Sequence, residues 1–290
     1  MKNIIYHNAD LDGFCSAAIV KKFLLAQGTK DEEIRMLGWD YGQPSPIQVD
    51  GDIYIVDICL PENDMIALRS YNANVVWIDH HKSAIQDSMG KWDWLPGLRR
   101  VGDSAAKLCW EFFYPDVPLP TVVYWVDRFD VWKKTSESGY NDWKSVMEIQ
   151  WGMRAELKDP KDPDAFYLWN ESFTFLKTSI INKGTAIYKF IEDQNVIISK
   201  RAFVLDFEGL QFCAVNHEGN SETVKSVVKP EHDAIMLFRF DGQLGKWKFS
   251  LYENELNPKK IDLSVIAKKL GGGGHAGACG FECDQIPFDY

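Results

Sequence analysis

No Cys-x-x-Cys pair occurs among the six cysteines, at positions 15, 59, 109, 213, 279 and 283. A structural zinc site or a disulfide framework is therefore not expected, and scattered, reduced, mostly buried thiols fit a cytosolic protein. Long hydrophobic runs are missing too. The best stretch, Ala17 to Ala26, is interrupted by Lys21-Lys22, so no membrane span and no membrane partner are expected. Met1 to Tyr6 runs straight into a strand-like segment, with none of the charge and cleavage pattern of a secretion signal. Positive charge is scarce: 32 Lys and Arg stand against 42 Asp and Glu, a net charge of −10, with no basic block. Tight, sequence-independent binding of long duplex nucleic acid needs many cationic contacts with phosphates, and is excluded as an expectation. A short or small phosphorylated substrate is not excluded, because metal ions can neutralise a site locally.

What is present is a recurrent pairing of apolar runs with metal-ligand side chains. His7, Asp10 and Asp12 follow the run from Lys2 to Tyr6. Asp57 follows Asp52 to Val56, Asp79-His80-His81 follows Val75 to Ile78, and Asp127 follows Val122 to Val126. Strand-like runs from Lys2 to Tyr6, Glu33 to Trp39, Asp52 to Val56 and Val75 to Ile78 alternate with helical patterns. The helical patterns cover Phe14 to Leu25, Leu60 towards Ser70, and Ala105 to Phe113. Such alternation predicts right-handed crossovers and a parallel sheet, whose ligands bind beyond the carboxyl ends of the strands. Residues 135–160 read as polar and irregular, and Ala165 to Ile191 as one long helix or two. From Arg201 the pattern changes to strands at Ala202 to Asp206, Gln211 to Asn216, Ala234 to Phe240 and Lys246 to Tyr252. A helix follows from Asp262 to Leu270, then the run Gly271 to Gly274 with His275. The expectation is an α/β protein with a metal-binding parallel-sheet domain over residues 1–150 and a helical connector over 151–199. A smaller mixed-sheet substrate-binding domain follows over 200–290, with the active site in the cleft between domains.

Each motif has a plainer reading. Asp10 or Asp12 could merely cap the helix that begins near Phe14, Asp57 could cap the stretch near Pro61, and Asp127 could pair with Arg128 at a helix end, with Asp130 a competing ligand candidate. The glycine run could be a simple connector, or a loop whose free N–H groups approach an anion. Together, four carboxylates (Asp10, Asp12, Asp57, Asp127) and two histidines (His7, His80) make a mixed O/N set. That set suits Mn²⁺, with Mg²⁺, Co²⁺ or Fe²⁺ as competitors. Six ligands exceed what one catalytic ion with open positions takes, so two ions sharing a carboxylate fit better. Such a pair can generate a hydroxide nucleophile and stabilise a leaving oxygen.

The combination His7-x-x-Asp10-x-Asp12-Gly13, Asp57, Asp79-His80-His81, Asp127 and Gly272-Gly273-Gly274-His275-x-x-Ala278-x-Gly280 resembles the DHH phosphoesterase superfamily with its DHH-associated C-terminal domain. Within it, the chain is similar to the bacterial nanoRNase, or oligoribonuclease, branch, related to RecJ-type exonucleases but smaller. The resemblance implies that His7 and Asp10 bind one Mn²⁺, that Asp12, His80 and Asp127 bind a second, and that Asp57 bridges them. Mg²⁺ or Co²⁺ are the alternative cofactors. It implies that His81 faces the scissile phosphate, with Asp57 central to catalysis. It also implies that Gly272, Gly273, Gly274 and His275 hold the substrate's terminal nucleotide. The implied function is Mn²⁺-dependent hydrolysis of short oligonucleotides to mononucleotides. The alternatives are a phosphatase or phosphodiesterase acting on 3′-phosphoadenosine 5′-phosphate, cyclic dinucleotides or polyphosphate, and a non-catalytic nucleotide-binding regulator. A homodimer is left open. An arginine that relatives often carry on a C-terminal strand is Tyr252 here, which could stack on a base or simply pack.

Overall fold

In the computed structural model, described for residues 1–46, 51–68, 74–139 and 141–288, the chain divides into two units, Met1–Tyr188 and Lys189–Tyr290. The first is built on strands β1 (Lys2–His7), β2 (Ile34–Trp39), β3 (Asp52–Val56) and β4 (Val75–Ile78). They form one sheet of order β2-β1-β3-β4, with every pairing parallel. The intervening helices are α1 (Leu11–Ala26), α2 (Glu62–Leu68) and α3 (Lys82–Ser88). Helices α4 (Ala105–Phe113), α5 (Thr121–Asp130), α6 (Trp143–Glu156) and α7 (Pro163–Ser172) follow. Helix α8 (Thr178–Ser199) runs from the first unit into the second. The expected helical stretch towards Ser70 is seen as α2, and its last two residues lie outside the described ones.

Both faces of this sheet are covered, as expected of a parallel sheet. Ile4, Tyr6, Val56 and Ile78 pack with α1, α4 and α5 in one apolar cluster. Ile5, Ile53, Ile55 and Trp77 pack with Met65, Leu68 and Trp92 in another. The register sets Tyr6 beside Val56 and Val56 beside Ile78. The next residues along, His7, Asp57 and Asp79, therefore form a single row across the carboxyl edge. The strand order places β1 and β3 at the point where successive connections leave in opposite directions, the usual ligand position in open α/β sheets.

One expectation is corrected here. Residues 135–160 are not irregular throughout, because Trp143–Glu156 forms α6. Its Trp143, Val146, Met147, Gln150 and Met153 recur at helical spacing and are buried. The apolar run before Asp127 is helical, and Asp127 lies inside α5.

The second unit holds β5 (Phe203–Phe207), β6 (Leu210–Asn216), β7 (Ala234–Asp241) and β8 (Lys246–Glu253). The short α9 (Ser264–Lys269), β9 (Gly273–His275) and β10 (Ala278–Cys283) complete it. Its sheet runs β5-β6-β7-β8-β10-β9 and is mixed, with only β6 and β7 parallel. The glycine run is thus not a free loop: Gly273 and Gly274 pair with Gly280 and Cys279 across a hairpin. A Cβ at Gly272 would meet the Gly280 carbonyl oxygen at 2.0 Å, so the approach of the two backbones excludes any side chain there. Among the described residues all six cysteines are free, and burial pushes the Cys59 and Cys279 thiols up to about 12. No helix among those residues is long and apolar enough to cross a membrane.

Candidate metal centre

The turn from β1 into α1 brings three of the expected ligands to the sheet edge. Gly13 makes the turn possible, since a Cβ there would lie 2.0 Å from the His7 carbonyl oxygen. Asp10 is the N-cap of α1: its Oδ1 accepts hydrogen bonds from the Asp12 and Gly13 amides, each at 3.0 Å. Its Oδ2 lies 3.2 Å from His7 Nδ1. Capping thus uses one oxygen of this carboxylate, while the other faces His7. Asp12 is buried, and its two oxygens accept from the amides of Ala105 and Ala106, each at 2.8 Å, at the start of α4. The same carboxylate approaches His80 Nε2 at 3.6 Å.

Asp57 is at the centre. It is 1% exposed and its backbone sits at φ +60°, in the left-handed region that a non-glycine residue adopts only when its surroundings impose it. Its amide donates to the Ile78 carbonyl at 2.9 Å, which holds the residue in the sheet row. His7 Nδ1 lies 3.4 Å from Oδ2 and His80 Nε2 lies 3.2 Å from Oδ1. Burial raises the Asp57 carboxyl, and the two imidazoles more than reverse this, leaving it below the usual carboxylate range. His7 is raised despite its burial, because Asp10, Asp40 and Asp57 surround it. His80 is raised against its burial by Asp130, Asp57 and Asp12. Asp79 plays a different part. Its Oδ1 accepts from the amides of His80 (2.7 Å) and His81 (3.1 Å) and lies 2.8 Å from His81 Nδ1, which fixes the His81 ring.

Asp127 does not join this group. Its Oδ1 accepts from the Ser104 amide and its Oδ2 pairs with Lys133 Nζ, both at 2.8 Å. The alternative Asp127–Arg128 pair is not formed either, since Arg128 pairs with Asp142 at 2.6 Å. One helical turn on, Asp130 Oδ2 lies 3.4 Å from His80 Nε2. Burial, reinforced by Asp57 and Asp10 and opposed by His80, pushes Asp130 up to about 7. The structure thus brings Asp130, and not Asp127, beside His80. Asp127→Ala should cost about 2–3 kcal/mol in a denaturation experiment, because the Ser104 amide and Lys133 lose a buried acceptor. It should leave Mn²⁺ affinity within about twofold, whereas Asp130→Asn should weaken Mn²⁺ about tenfold or more by calorimetry with little loss of stability.

Sequence reading also missed Asp40, whose Oδ1 lies 3.5 Å from His7 Nε2. It directly follows β2, as Asp57 follows β3, so the rule that found Asp57 applies to it. Beside the centre, Asp103 accepts from Lys107, Lys133 and Arg100, and these cations outweigh partial burial to hold it well below the usual carboxylate range. Because its folded pKa is depressed, its contribution is present above the unfolded value near 3.9 and is lost as pH falls through the folded value. With solvent screening that contribution is about 1 kcal/mol. Melting curves between pH 5 and pH 2 should show a shallower acid decline for Asp103→Asn than for the parent.

The donor set can be tested for fit to a divalent ion. Among the described residues, both Asp57 oxygens, His7 Nδ1 and Asp130 Oδ2 are buried without a hydrogen bond. Buried carboxylate oxygens in this condition are costly unless a cation completes them. His7, Asp10 and Asp57 offer ligand atoms within 4.8 Å of one another, and so do Asp12, Asp57 and His80. Two ligand groups sharing one carboxylate fit a divalent ion in each. The four substrate-contact candidates, Gly272, Gly273, Gly274 and His275, lie in the second unit, at and within the hairpin of β9 and β10.

No family model matches the chain. It is 28% identical over 249 residues to uncharacterized protein R106 of Acanthamoeba polyphaga mimivirus, a match covering 81% of this chain and 54% of that one. The chain spans about half the length of this curated relative. Three solved structures are similar over 96% or more of this chain. The pGpG-specific phosphodiesterase PggH from Vibrio cholerae is 15% identical with a TM-score of 0.53, covering 97% of this chain and 93% of that one. The DHH domain of a member of a family of ribosomal proteins is 14% identical with a TM-score of 0.54, covering 96% and 82%. An exopolyphosphatase-related protein from Bacteroides fragilis is 12% identical with a TM-score of 0.52, covering 100% and 87%. At such identities the likeness is one of fold. The parallel N-terminal sheet and separate mixed C-terminal sheet are those of the DHH-type two-domain architecture, as the sequence motifs led us to expect.

Proposed function

We propose that this chain is a divalent-metal-dependent phosphoesterase that hydrolyses phosphodiester bonds in short oligonucleotides, releasing mononucleotides. The observation that carries the reading is Asp57, a buried carboxylate with two uncompleted oxygens, shared by two ligand groups at the switch point of a parallel sheet. His7, Asp10 and Asp57 would hold one ion, and Asp12, Asp57, His80 and Asp130 the other, with Mn²⁺ favoured by the mixed O/N donors and Mg²⁺ or Co²⁺ as substitutes. Bound ions supply Lewis-acid polarisation of phosphoryl oxygens and a lowered pKa for an attacking water.

The chain's own residues do the rest. Asp57 and Asp12 are fixed by backbone bonds and by the packing around them, so the ligand geometry exists before substrate arrives. His81, held through Nδ1 by Asp79, presents its ring to the transferring phosphoryl group and donates a hydrogen bond to an oxygen that gains charge. Gly272 to His275 would contact the substrate's terminal nucleotide.

Support for a short substrate comes from two sources: the acidic chain of net charge −10 and a structural neighbour that is a pGpG-specific phosphodiesterase. The exopolyphosphatase-related neighbour gives weight to a second substrate class. The test is product analysis after incubating a labelled dinucleotide, a pentamer, a 24-mer, 3′-phosphoadenosine 5′-phosphate and polyphosphate with Mn²⁺ or with excess chelator. Mn²⁺-dependent loss of the dinucleotide and pentamer with the 24-mer spared is the expected result. Loss of only 3′-phosphoadenosine 5′-phosphate or of only the polyphosphate would move the substrate, and loss of nothing would sink the enzymatic reading.

A further inference from the structure

A cavity of about 90 Å³ opens beside the carboxylates. Asp10, Asp12 and Asp130 line it together with Phe129, Gln150 and Arg154. Gln150 and Arg154 are four residues apart on α6 and so share one face of that helix. Gln150 is 2% exposed, and its Oε1 has no hydrogen-bond partner among the described residues. A buried amide in that condition needs a partner from a ligand or a bound water. The Arg154 guanidinium lies 5.9 Å from the Phe129 ring centre and 5.7 Å from that of Trp151. It forms no ion pair with any described carboxylate, although three line the same cavity. Phe129 is itself stacked on Trp143 with an interplanar angle of 3°, and Trp143 is buried at the start of α6. The aromatic wall therefore holds the cation in place without consuming its hydrogen-bond donors.

We infer that Arg154 is the phosphate anchor of the site and that Gln150 completes the contact through the adjoining sugar or its water. The ligand class is a nucleoside phosphate whose phosphate enters the cavity beside the metal-binding carboxylates. A planar guanidinium with unpaired donors matches phosphate oxygens in a bidentate way, and a cation here would relieve the repulsion between an anionic ligand and the acidic wall. The strand position where an arginine was expected holds Tyr252, whose hydroxyl donates to the Gly219 carbonyl at 3.0 Å. The cation supplied by α6 would take over that task. This inference rests on the phosphoesterase reading for its substrate but not for its geometry.

The test is calorimetric binding of AMP, with adenosine as the uncharged control, to the full chain in millimolar Mn²⁺. Arg154→Ala should weaken AMP about 10- to 100-fold, the range of a charge-assisted phosphate contact. Adenosine and Mn²⁺ affinities should stay within about twofold. Arg154→Lys, which keeps charge and stem, should fall between the two and serves if the alanine variant does not fold. Gln150→Leu should lower AMP affinity severalfold. Unchanged AMP affinity in Arg154→Ala, an equal loss for adenosine, a parallel loss of Mn²⁺, or no AMP binding by the parent would each overturn the inference. Should the parent bind AMP in an Arg154-dependent way yet hydrolyse no oligonucleotide, the proposed reaction falls and the anion site stands. Hydrolysis with Arg154-independent AMP affinity gives the reverse.

Discussion

Replacing Asp57 by Asn should lower dinucleotide hydrolysis by about 10³-fold or more while the protein stays folded. Asparagine is the right replacement because position 57 has φ +60°. Asn enters the left-handed region more readily than most residues, so the variant tests the carboxylate and not the backbone. Alanine would add strain of about 1 kcal/mol, which a loss of activity could not be separated from. The expected split is a collapse of turnover, a large loss of Mn²⁺ affinity measured by calorimetry, and a melting temperature of the metal-free protein within a few degrees of the parent. Retained hydrolysis in Asp57→Asn would remove Asp57 from the centre of the site and, with it, the sharing of one carboxylate by two ions.

Mn²⁺ should raise the melting temperature of the first unit, and chelator should reverse the rise. The proposed ligand side chains span His7 to Asp130 and come together only when β1, β3, β4 and α5 are all in place. The unfolded chain therefore offers no comparable site, and binding to the native state alone stabilises by mass action. At a free Mn²⁺ concentration about 100 times the dissociation constant, the gain is about 2.7 kcal/mol. For a unit of this size that is a shift of roughly 5–10 °C. Differential scanning calorimetry with and without Mn²⁺ measures it, and Asp57→Asn should abolish it. A parent protein whose melting is indifferent to every divalent ion would contradict the metal centre whatever its activity.

The legible and illegible parts of this molecule differ for physical reasons. Strands β1, β3 and β4 could be read because a parallel strand buried on both faces is a short apolar run, and each such run stops at a ligand-type residue. His7, Asp57 and His80 were therefore placed from sequence and found at one edge of the sheet. Asp127 and Asp130 could not be separated in this way. Three residues apart on α5, they share a side of the helix, and the Ser104 amide, from before α4, and Lys133, just past the end of α5, draw Asp127 away. Helix α6 was obscured because no side chain caps it at Asp142 and its polar residues interrupt the apolar spacing. Strand β9 was obscured because glycine carries no strand preference of its own; its pairing with β10 is a tertiary fact.

The parallel row of His7, Asp57 and Asp79 bears on how this chain tolerates changes in length. Because Ile4 and Tyr6 face one apolar cluster and Ile5 the other, a one-residue slip of a strand would still bury oil against oil. Hydrophobic patterning alone guards the register only weakly here. What guards it is contact that cannot be shifted: Gly13 on the His7 carbonyl, and Gly97 with its absent Cβ 2.0 Å from the Trp77 carbonyl oxygen. A single-codon deletion inside β3 would thus yield a chain that can still collapse but whose carboxylate no longer meets its imidazoles. In a lineage of such proteins, insertions and deletions should spare the three strands while substitutions among their aliphatic residues accumulate.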